Sequence, residues 1–576
     1  MTTDNKLMVK KINYTVENLN NTVKKWAEVE EAKYLLRYPT VYIINDKKKQ
    51  HEVNIYVGET ADINSRTKQH LNVDSKIKQY WCNFSNSKTS SMYVIGHPFF
   101  NKSLTLDIEN RLMQYLSSVD NVKSIFNSRT NQQNEYYTSD KLDEIFNNIW
   151  NSLHKKDGDL FPLESVVRDS AIFKASPFHK LTPEQNKAKD EIISKIKIAL
   201  HQHSDNQLIL VEGEAGSGKT VLMSTLFYEL KQFENDDFME DLDVHLLINH
   251  EQQLKVYKQI AEKLGLTSKN HNIIKKPTSF IINRESKDKV DVVIVDEAHL
   301  LLTQGKMSYK GEGHLKDILE RAKVVVAVFD SKQILSREQI WEFDTLNELV
   351  ESTKKNDNHI LLKNQLRINS SEETVQWIRK LIDEQVINKI PYDNKGYDIK
   401  IFDNPKSLEK EIRKKAKSTE SGISRVLATF DWKYNGNKKP QDDDYWKVQI
   451  GDWSMPWNLQ LKTLRGEKNW SWAEQTNTIN EVGSTFTIQG FDLNYAGVII
   501  GPSVKFRGGK IIFDKNESQN SKATQNRTLS DKSKQNFAEE LLKNELNVLM
   551  TRGVNGLYIY AVDKELNEAL KEAYKG

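Results

Sequence analysis

Leu19, Val23, Trp26, Val29 and Ala32 recur at three- and four-residue spacing, which predicts a helix over the residues before about 36. From Thr40 the period shortens. The apolar runs Val41–Ile44 and Val53–Val57 flank the polar stretch Asn45–His51, a hairpin pattern, and Met92–Ile95 predicts a third strand. Amphipathic spacing predicts helices at about 61–72 and 103–117, closing a small mixed domain near Trp150. The polar, irregular residues 151–177 read as a linker. Beyond them helix and strand patterns alternate. A helix starting at Pro183 is followed by apolar strands at Leu208–Val211, Leu246–Ile248, Val292–Val295 and Val324–Phe329, the signature of a doubly wound parallel sheet. A second unit of this kind is expected from near Leu361 to a last strand at Leu557–Val562. It is interrupted by a Trp-rich segment, about 431–475, and by a Ser/Asn/Lys-rich segment, about 514–534, expected to be a mobile loop. The fold expected is α/β: a helical segment 1–37, a mixed domain 38–150, the linker, and two parallel-sheet lobes at 178–360 and 361–576.

Composition narrows the function. A chain of 576 residues exceeds one compact core, and 38% hydrophobic with 28% charged residues fits a soluble protein. No stretch approaches the roughly 18 apolar residues of a membrane span. The first residues lack the apolar core of an export signal, so a cytoplasmic home is expected. Cys82 is the sole cysteine, which excludes an internal disulfide or a thiolate zinc cluster and leaves oxygen atoms or histidine to hold any metal. Net charge is only +3, so the overall balance does not announce a nucleic-acid binder and the argument passes to local chemistry. The basic runs Lys47–Lys49 and Arg413–Lys415 read as solvated faces.

That chemistry is sharpest at Gly213-Glu214-Ala215-Gly216-Ser217-Gly218-Lys219-Thr220. The segment matches GxxxxGK[ST] and lies between a predicted strand and a predicted helix, the context the motif requires. Gly213, Gly216 and Gly218 let backbone amides close around the phosphates of ATP, Lys219 neutralises the β and γ phosphates, and the Thr220 hydroxyl reaches magnesium. Asp296-Glu297-Ala298-His299 follows another apolar strand. There Asp296 is expected to hold Mg2+ and Glu297 to orient the attacking water.

With these motifs in place, residues 178–563 resemble superfamily-one helicases, and most closely the Schlafen-like helicase group, whose two lobes are RecA-like. The resemblance runs through ordered segments. Leu181-Thr182-Pro183-Glu184-Gln185 is similar to the motif in which Gln185 reads adenine. Phe329-Asp330-Ser331-Lys332-Gln333 looks like the motif in which Gln333 senses the γ phosphate. Leu362-Lys363-Asn364-Gln365-Leu366-Arg367 implies Arg367 as one arginine finger. Thr485 to Asp492, with Gly490, is similar to the fifth motif, and Asn547 to Gly553 to the sixth, which implies Arg552 as a second finger. Gln489 stands where many DNA helicases carry a basic residue. Six of the 11 tryptophans, at 432, 446, 453, 457, 470 and 472, are read mainly as core, with base stacking as the alternative.

In the N-terminal domain, Val41-Tyr42 and Tyr56-Val57-Gly58 lie on the two hairpin strands, and Arg66 and His70 share a helix face at i, i+4. Glu109 follows on the next helix and Asn127 after it. Over about residues 38–140 this resembles the GIY-YIG nucleases, with Thr40 in place of the first glycine. The resemblance implies that Tyr42 and Tyr56 position or deprotonate water, Arg66 stabilises phosphorane-like charge, Glu109 holds Mg2+ or Mn2+, and His70 acts as a base or phosphate ligand. The function expected is an ATP-dependent nuclease-helicase acting on DNA, or RNA, in defence against foreign nucleic acid such as phage. The alternative is an ATP-gated binding or remodelling module with an inactive nuclease fold.

Overall fold

The computed structural model describes residues 7–49, 52–127, 133, 135–232, 242–266, 272–305, 309–418 and 422–575. They form two compact units, one holding residues up to 180 plus short stretches that begin at 228 and 256, the other holding the rest. No helix among the described residues is long and apolar enough to cross a membrane.

The first unit is built on a five-stranded sheet of β1 (Met8–Asn13), β2 (Thr40–Lys49), β3 (Glu52–Thr60), β4 (Ser90–Gly96) and β5 (Val122–Ile125), in the order β1-β4-β2-β3-β5. Edge strand β1 corrects the expectation of an all-helical N-terminus. Its residues, MVKKIN, lack an apolar run, and the strand is held by its antiparallel ladder to β4, from Met8 opposite Gly96 to Asn13 opposite Ser91. The predicted hairpin is present and longer than its apolar runs, although its tip at residues 50 and 51 lies outside the described residues. Helices Ile63–Asn72, Gln79–Asn86 and Lys102–Ser117 pack around the sheet. The core joins Tyr42, Ile44, Tyr56, Trp81, Phe84, Met92 and Val94. The stretch expected as a linker carries helix ends and buried side chains. Helix Leu142–Lys156 runs into it, Glu164–Asp169 and Ala171–Lys174 follow, and Leu160, Phe161, Val167 and Phe173 are buried.

The second unit holds two parallel sheets. The first has six strands: β6 (Gln207–Gly213), β7 (Val244–Ile248), β8 (Ile274–Lys275), β9 (Val290–Asp296), β10 (Ala322–Phe329) and β11 (His359–Leu362). Their order is β11-β6-β10-β9-β7-β8. Strands such as VDVVIVD and AKVVVAVF carry apolar runs rich in β-branched residues rather than alternating ones, as a sheet buried on both faces requires. The residues around Leu361, read as the start of the second lobe, form the edge strand of this first sheet beside β6. The second sheet contains β12 (Asp398–Ile401), β13 (Ser424–Ala428), β16 (Leu493–Ile500) and β21 (Gly553–Ala561), in the order β12-β21-β16-β13.

Between β13 and β16 the Trp-rich segment forms the hairpin β14 (Lys447–Ile450) and β15 (Trp453–Pro456). Trp457 and Trp472 are fully buried, and Trp432, Trp446, Trp453 and Trp470 are half-buried. Trp457 touches the rings of Phe430, Trp432 and Tyr434 and packs with Leu408, Ile412 and Val448. Trp457→Ala is therefore expected to destabilise this unit by about 3–5 kcal/mol, read as a shift in its denaturation midpoint.

The segment expected to be a mobile loop is ordered. After the hairpin β17 (Val504–Arg507) and β18 (Lys510–Phe513) come a helical turn, Ser521–Thr524, and the short pair β19 (Arg527–Thr528) and β20 (Lys534–Gln535). Buried Arg527 pins it, donating to Thr303 Oγ1 at 2.9 Å and to the carbonyls of Arg337 and Ile340. Its polar composition hid these side-chain anchors.

Candidate functional site

The strand order of the six-stranded sheet decides where the nucleotide chemistry converges. Because β6, β10 and β9 are neighbours and all parallel, the phosphate loop after β6, Asp330 after β10 and Asp296 at the end of β9 meet at one carboxyl edge. Gly216 and Gly218 take φ of +90° and +76°, left-handed values that only glycine adopts without strain. Side chains also crowd the space where a Cβ would sit: Arg367 and Gln365 at Gly216, Gln185 at Gly218. The fourth motif thus rests directly on the loop, and Leu366 N donates to Gly216 O at 2.7 Å.

Lys219 is buried and folded back on the loop. Its Nζ donates to Gly213 O (2.6 Å) and Glu214 O (2.8 Å) and lies 3.3 Å from Asp330 Oδ2. Asp330 also accepts from Gln333 Nε2 at 2.7 Å, and Gln333 Oε1 accepts from Arg552 Nη2 at 2.9 Å. One hydrogen-bonded chain, Lys219–Asp330–Gln333–Arg552, therefore runs from the phosphate loop to the second lobe. Burial alone would raise the Asp330 carboxyl, but Lys219, His299 and the Gln333 bond outweigh it and hold it low. Arg552 is fully buried, and both burial and nearby Arg367 push its pKa down. A guanidinium so placed gains from an anion arriving beside it.

Glu297 sits at φ +53°, a left-handed position uncommon for a residue with a side chain. Its Oε2 is buried without a hydrogen-bond donor among the described residues, 3.2 Å from His299 Nε2. Burial would raise this carboxyl too; His299, Lys219 and Arg552 reverse the direction. An ionised, unfilled acceptor at this edge suits a water molecule. Asp296 is buried and Thr220 half-buried at the same edge. Hydroxyl and carboxylate oxygens are the hard donors that Mg2+ takes, so the residues present fit that ion.

The remaining predicted residues fall around this centre with partners of their own. Gln185 is engaged at both ends of its amide: Oε1 accepts from Thr182 N in a capping box, and Nε2 donates to Gly218 O at 3.2 Å. Arg367 Nε pairs with Asp492 Oδ1 at 2.6 Å. Gly490, at φ +82°, packs against Gln253. Three features were missed in the sequence. Asp330 lies inside the Phe329–Gln333 motif, and its place after a strand beside β6 is the readable signal of its role; Asp492 carries no such signal. Glu214, inside the phosphate loop, is gripped by Lys332 (2.7 Å) and Arg379 (3.4 Å), while Arg379 Nη2 donates to Asn547 Oδ1 at 2.6 Å. A cavity of about 150 Å3 opens here, lined by Glu214, Ala215, Ser217, Asn364, Arg379 and Thr551.

In the first unit the antiparallel register of β2 and β3 sets Tyr42 opposite Gly58 and Ile44 opposite Tyr56, so the two tyrosines are diagonal neighbours on one face. Their rings stack at 6.0 Å. Gly58 makes room for this: a Cβ there would lie 2.5 Å from Tyr42 Oη. Arg66, half-buried on helix Ile63–Asn72, reaches both phenols. His70 Nε2 is 2.9 Å from Tyr42 Oη. Burial raises both tyrosine hydroxyls, and Arg66 opposes the rise in each. Glu109, on helix Lys102–Ser117, is buried, accepts from Asn127 Nδ2 at 2.6 Å and lies within electrostatic reach of Tyr42 and Tyr56. All five predicted residues are thus gathered at one place. A single carboxylate with carbonyl and amide neighbours fits a divalent ion that keeps most of its waters, as Mg2+ does. Asp74, which no motif singles out, lies 2.6 Å from His70 Nδ1.

Residues 206–563 match the family model described as Schlafen group 3, DNA/RNA helicase domain. An uncharacterized protein of Saccharomyces cerevisiae is 34% identical over 441 residues, spanning 70% of this chain and 93% of the relative. Among solved structures, one described as two coordinating Pif1 helicases unwinding forked double-stranded DNA is matched at 12% identity and a TM-score of 0.26, over 68% of this chain and 94% of that one. With residues 206–563, more than half of its length, matched by that model, the chain belongs to the Schlafen group 3 helicase-domain family.

Proposed function

We propose that the protein is an ATP-dependent nuclease-helicase that cleaves nucleic acid, DNA in preference to RNA, and that it acts on foreign nucleic acid such as phage DNA. The observation that carries the nuclease half is the convergence of Tyr42, Tyr56, Arg66 and His70 on one sheet face with Glu109 beside them. Hydrolysis of a phosphodiester needs a base near water, a cation near the developing charge and a ligand for a divalent ion, and these residue types supply each. Bound at Glu109, Mg2+ or Mn2+ would offset charge on the leaving oxygen. Arg66 then faces the charged phosphoryl oxygens, and the Tyr42–His70 pair removes the proton from water.

In the motor half Gln185 and the loop glycines receive the nucleotide, and Lys219 exchanges its carbonyl and Asp330 contacts for phosphate oxygens. Thr220 and Asp296 would hold Mg2+, and Glu297 orients the attacking water. Arg552 acts as a finger from the second lobe, and Arg367, which already rests on the phosphate loop, as the other. The Lys219–Asp330–Gln333–Arg552 chain supports this reading, because a phosphate arriving at Lys219 pulls on every member up to the second lobe. Arg552→Ala is expected to lower ATP turnover by about 1,000-fold or more while changing affinity for a non-hydrolysable ATP analogue by less than about 10-fold, since a finger acts on transition-state charge. Lost affinity with unchanged turnover would contradict that role. The test of the whole proposal is a cleavage assay on labelled single-stranded, duplex and forked DNA and RNA, with ATP and metal varied independently. Metal-dependent products support it, and their absence on every substrate removes the nuclease half.

A further inference from the structure

We propose that Asp74 is a positioning residue of the Tyr42 site, fixing His70 as the neutral tautomer protonated on Nδ1 so that Nε2 receives the Tyr42 proton. The inference rests on reading this cluster as a phosphodiester-cleaving centre. Both ring nitrogens of His70 are engaged, Nδ1 with Asp74 Oδ2 at 2.6 Å and Nε2 with Tyr42 Oη at 2.9 Å. The tautomer then follows from the partners' chemistry. The carboxylate oxygen of Asp74 accepts, so Nδ1 carries the hydrogen; in a neutral ring Nε2 is then the acceptor, and Tyr42 donates to it. Burial pushes the His70 pKa down to about 4, opposed by the Asp74 hydrogen bond, so the ring is neutral at pH 7.

The surroundings hold the ring in this pose. His70 stacks on Trp81 at 3.7 Å between centroids and meets Tyr56 edge-on at 5.6 Å. The titratable groups that face it are Tyr42 and Tyr56 from the hairpin, Arg66 and Asp74 from its own helix and the turn after it, and Tyr14, which interacts with Tyr56, Asp74 and Arg66. Arg66 and His70 share a face of helix Ile63–Asn72, and Asp74, in the short turn that follows its end, continues the four-residue spacing, so cation, proton acceptor and orienter lie in line.

The step balances. As the water oxygen bonds to phosphorus, its proton passes to Tyr42 Oη while the Tyr42 proton passes to His70 Nε2. The bond from phosphorus to one sugar oxygen breaks, and that oxygen leaves with the bonding pair and takes a proton from solvent. The imidazolium, paired with Asp74, returns its proton to solvent. Asp74 thus matters most when His70 is charged, which is the role of the carboxylate in a serine-protease triad.

The experiment uses the full chain with Mg2+ or Mn2+ and a labelled oligonucleotide that the wild type cuts. Asp74→Asn is expected to slow single-turnover cleavage about 100-fold, with oligonucleotide affinity and ATP hydrolysis unchanged, and Asp74→Glu to recover part of the rate. In ring-15N-labelled protein, assigned with His70→Gln, the His70 signals are expected to report a proton on Nδ1 in the wild type and to lose that preference in Asp74→Asn. Equal cleavage by wild type and Asp74→Asn, or a wild-type proton on Nε2, overturns the inference and leaves the nuclease reading standing. No cleavage by the wild type under any metal removes the nuclease reading and the relay with it.

Discussion

Lys219→Ala is expected to lower nucleic-acid-stimulated ATP hydrolysis by on the order of 100- to 1,000-fold without unfolding the protein. The loss comes from removing the one cation that the phosphate loop itself supplies at the edge where Asp296, Glu297 and Asp330 converge. Left without it, those carboxylates repel the γ phosphate, and the chain to Arg552 loses its first member. The fold should tolerate the change because Asp330 keeps Gln333 (2.7 Å) and the Lys332 amide (3.2 Å) as donors. Glu297→Gln makes the complementary case: the site keeps its cation and loses only the carboxylate that orients water, so nucleotide binding should persist while turnover falls. Full ATPase activity in Lys219→Ala, measured by phosphate release on a sample with native circular dichroism, contradicts the assignment.

The second large effect is expected in the other unit. Glu109→Ala should remove metal-dependent cleavage, by at least about 1,000-fold, while ATP hydrolysis stays at the wild-type rate. Glu109 is the carboxylate in reach of Tyr42 and Tyr56, so its loss takes away the proposed ion's protein anchor and strands the Asn127 amide that donates to it. Asn127 also donates to Val57 O at 2.7 Å, which keeps that side chain in place and argues against collapse of the site. Arg66→Ala should reach a similar loss by a different route, removing charge stabilisation at the phosphate with the metal site intact. Titrating metal separates the two: excess Mn2+ should recover some Arg66→Ala activity and none of Glu109→Ala.

How much of this was legible in the sequence depended on whether a residue's role was local. The phosphate loop, the acidic pair after β9 and the Arg66–His70 face are short-range patterns, and each lies where spacing put it. Strands β9 and β10 were visible because burial on both faces demands apolar runs rich in β-branched residues. Strand β1 was not, because MVKKIN is ordered by its partner β4 and carries no apolar run of its own. The polar segment ending at β20 was misread for a related reason: its order comes from Arg527, whose acceptors lie about 190 to 220 positions earlier in the chain. Asp330, Asp492 and Asp74 share that difficulty. Each acts through a partner brought near by folding, and only Asp330, at a strand's carboxyl end beside β6, left a mark a pattern could show. Of the six tryptophans expected to be mainly core, Trp457 and Trp472 are fully buried and the other four are half-buried.

In the proposed function one chain carries two separable chemistries, an ATP-driven motor and a metal-dependent nuclease. ATP hydrolysis and oligonucleotide cleavage followed in the same reactions, for wild type, Lys219→Ala and Glu109→Ala, with and without ATP, distinguish the two. The wild type is expected to do both, Lys219→Ala to lose hydrolysis and cut in an altered amount or position, and Glu109→Ala to hydrolyse ATP normally and cut nothing. Equal cleavage by wild type and Glu109→Ala, or a wild type that hydrolyses ATP and never cuts, would contradict it.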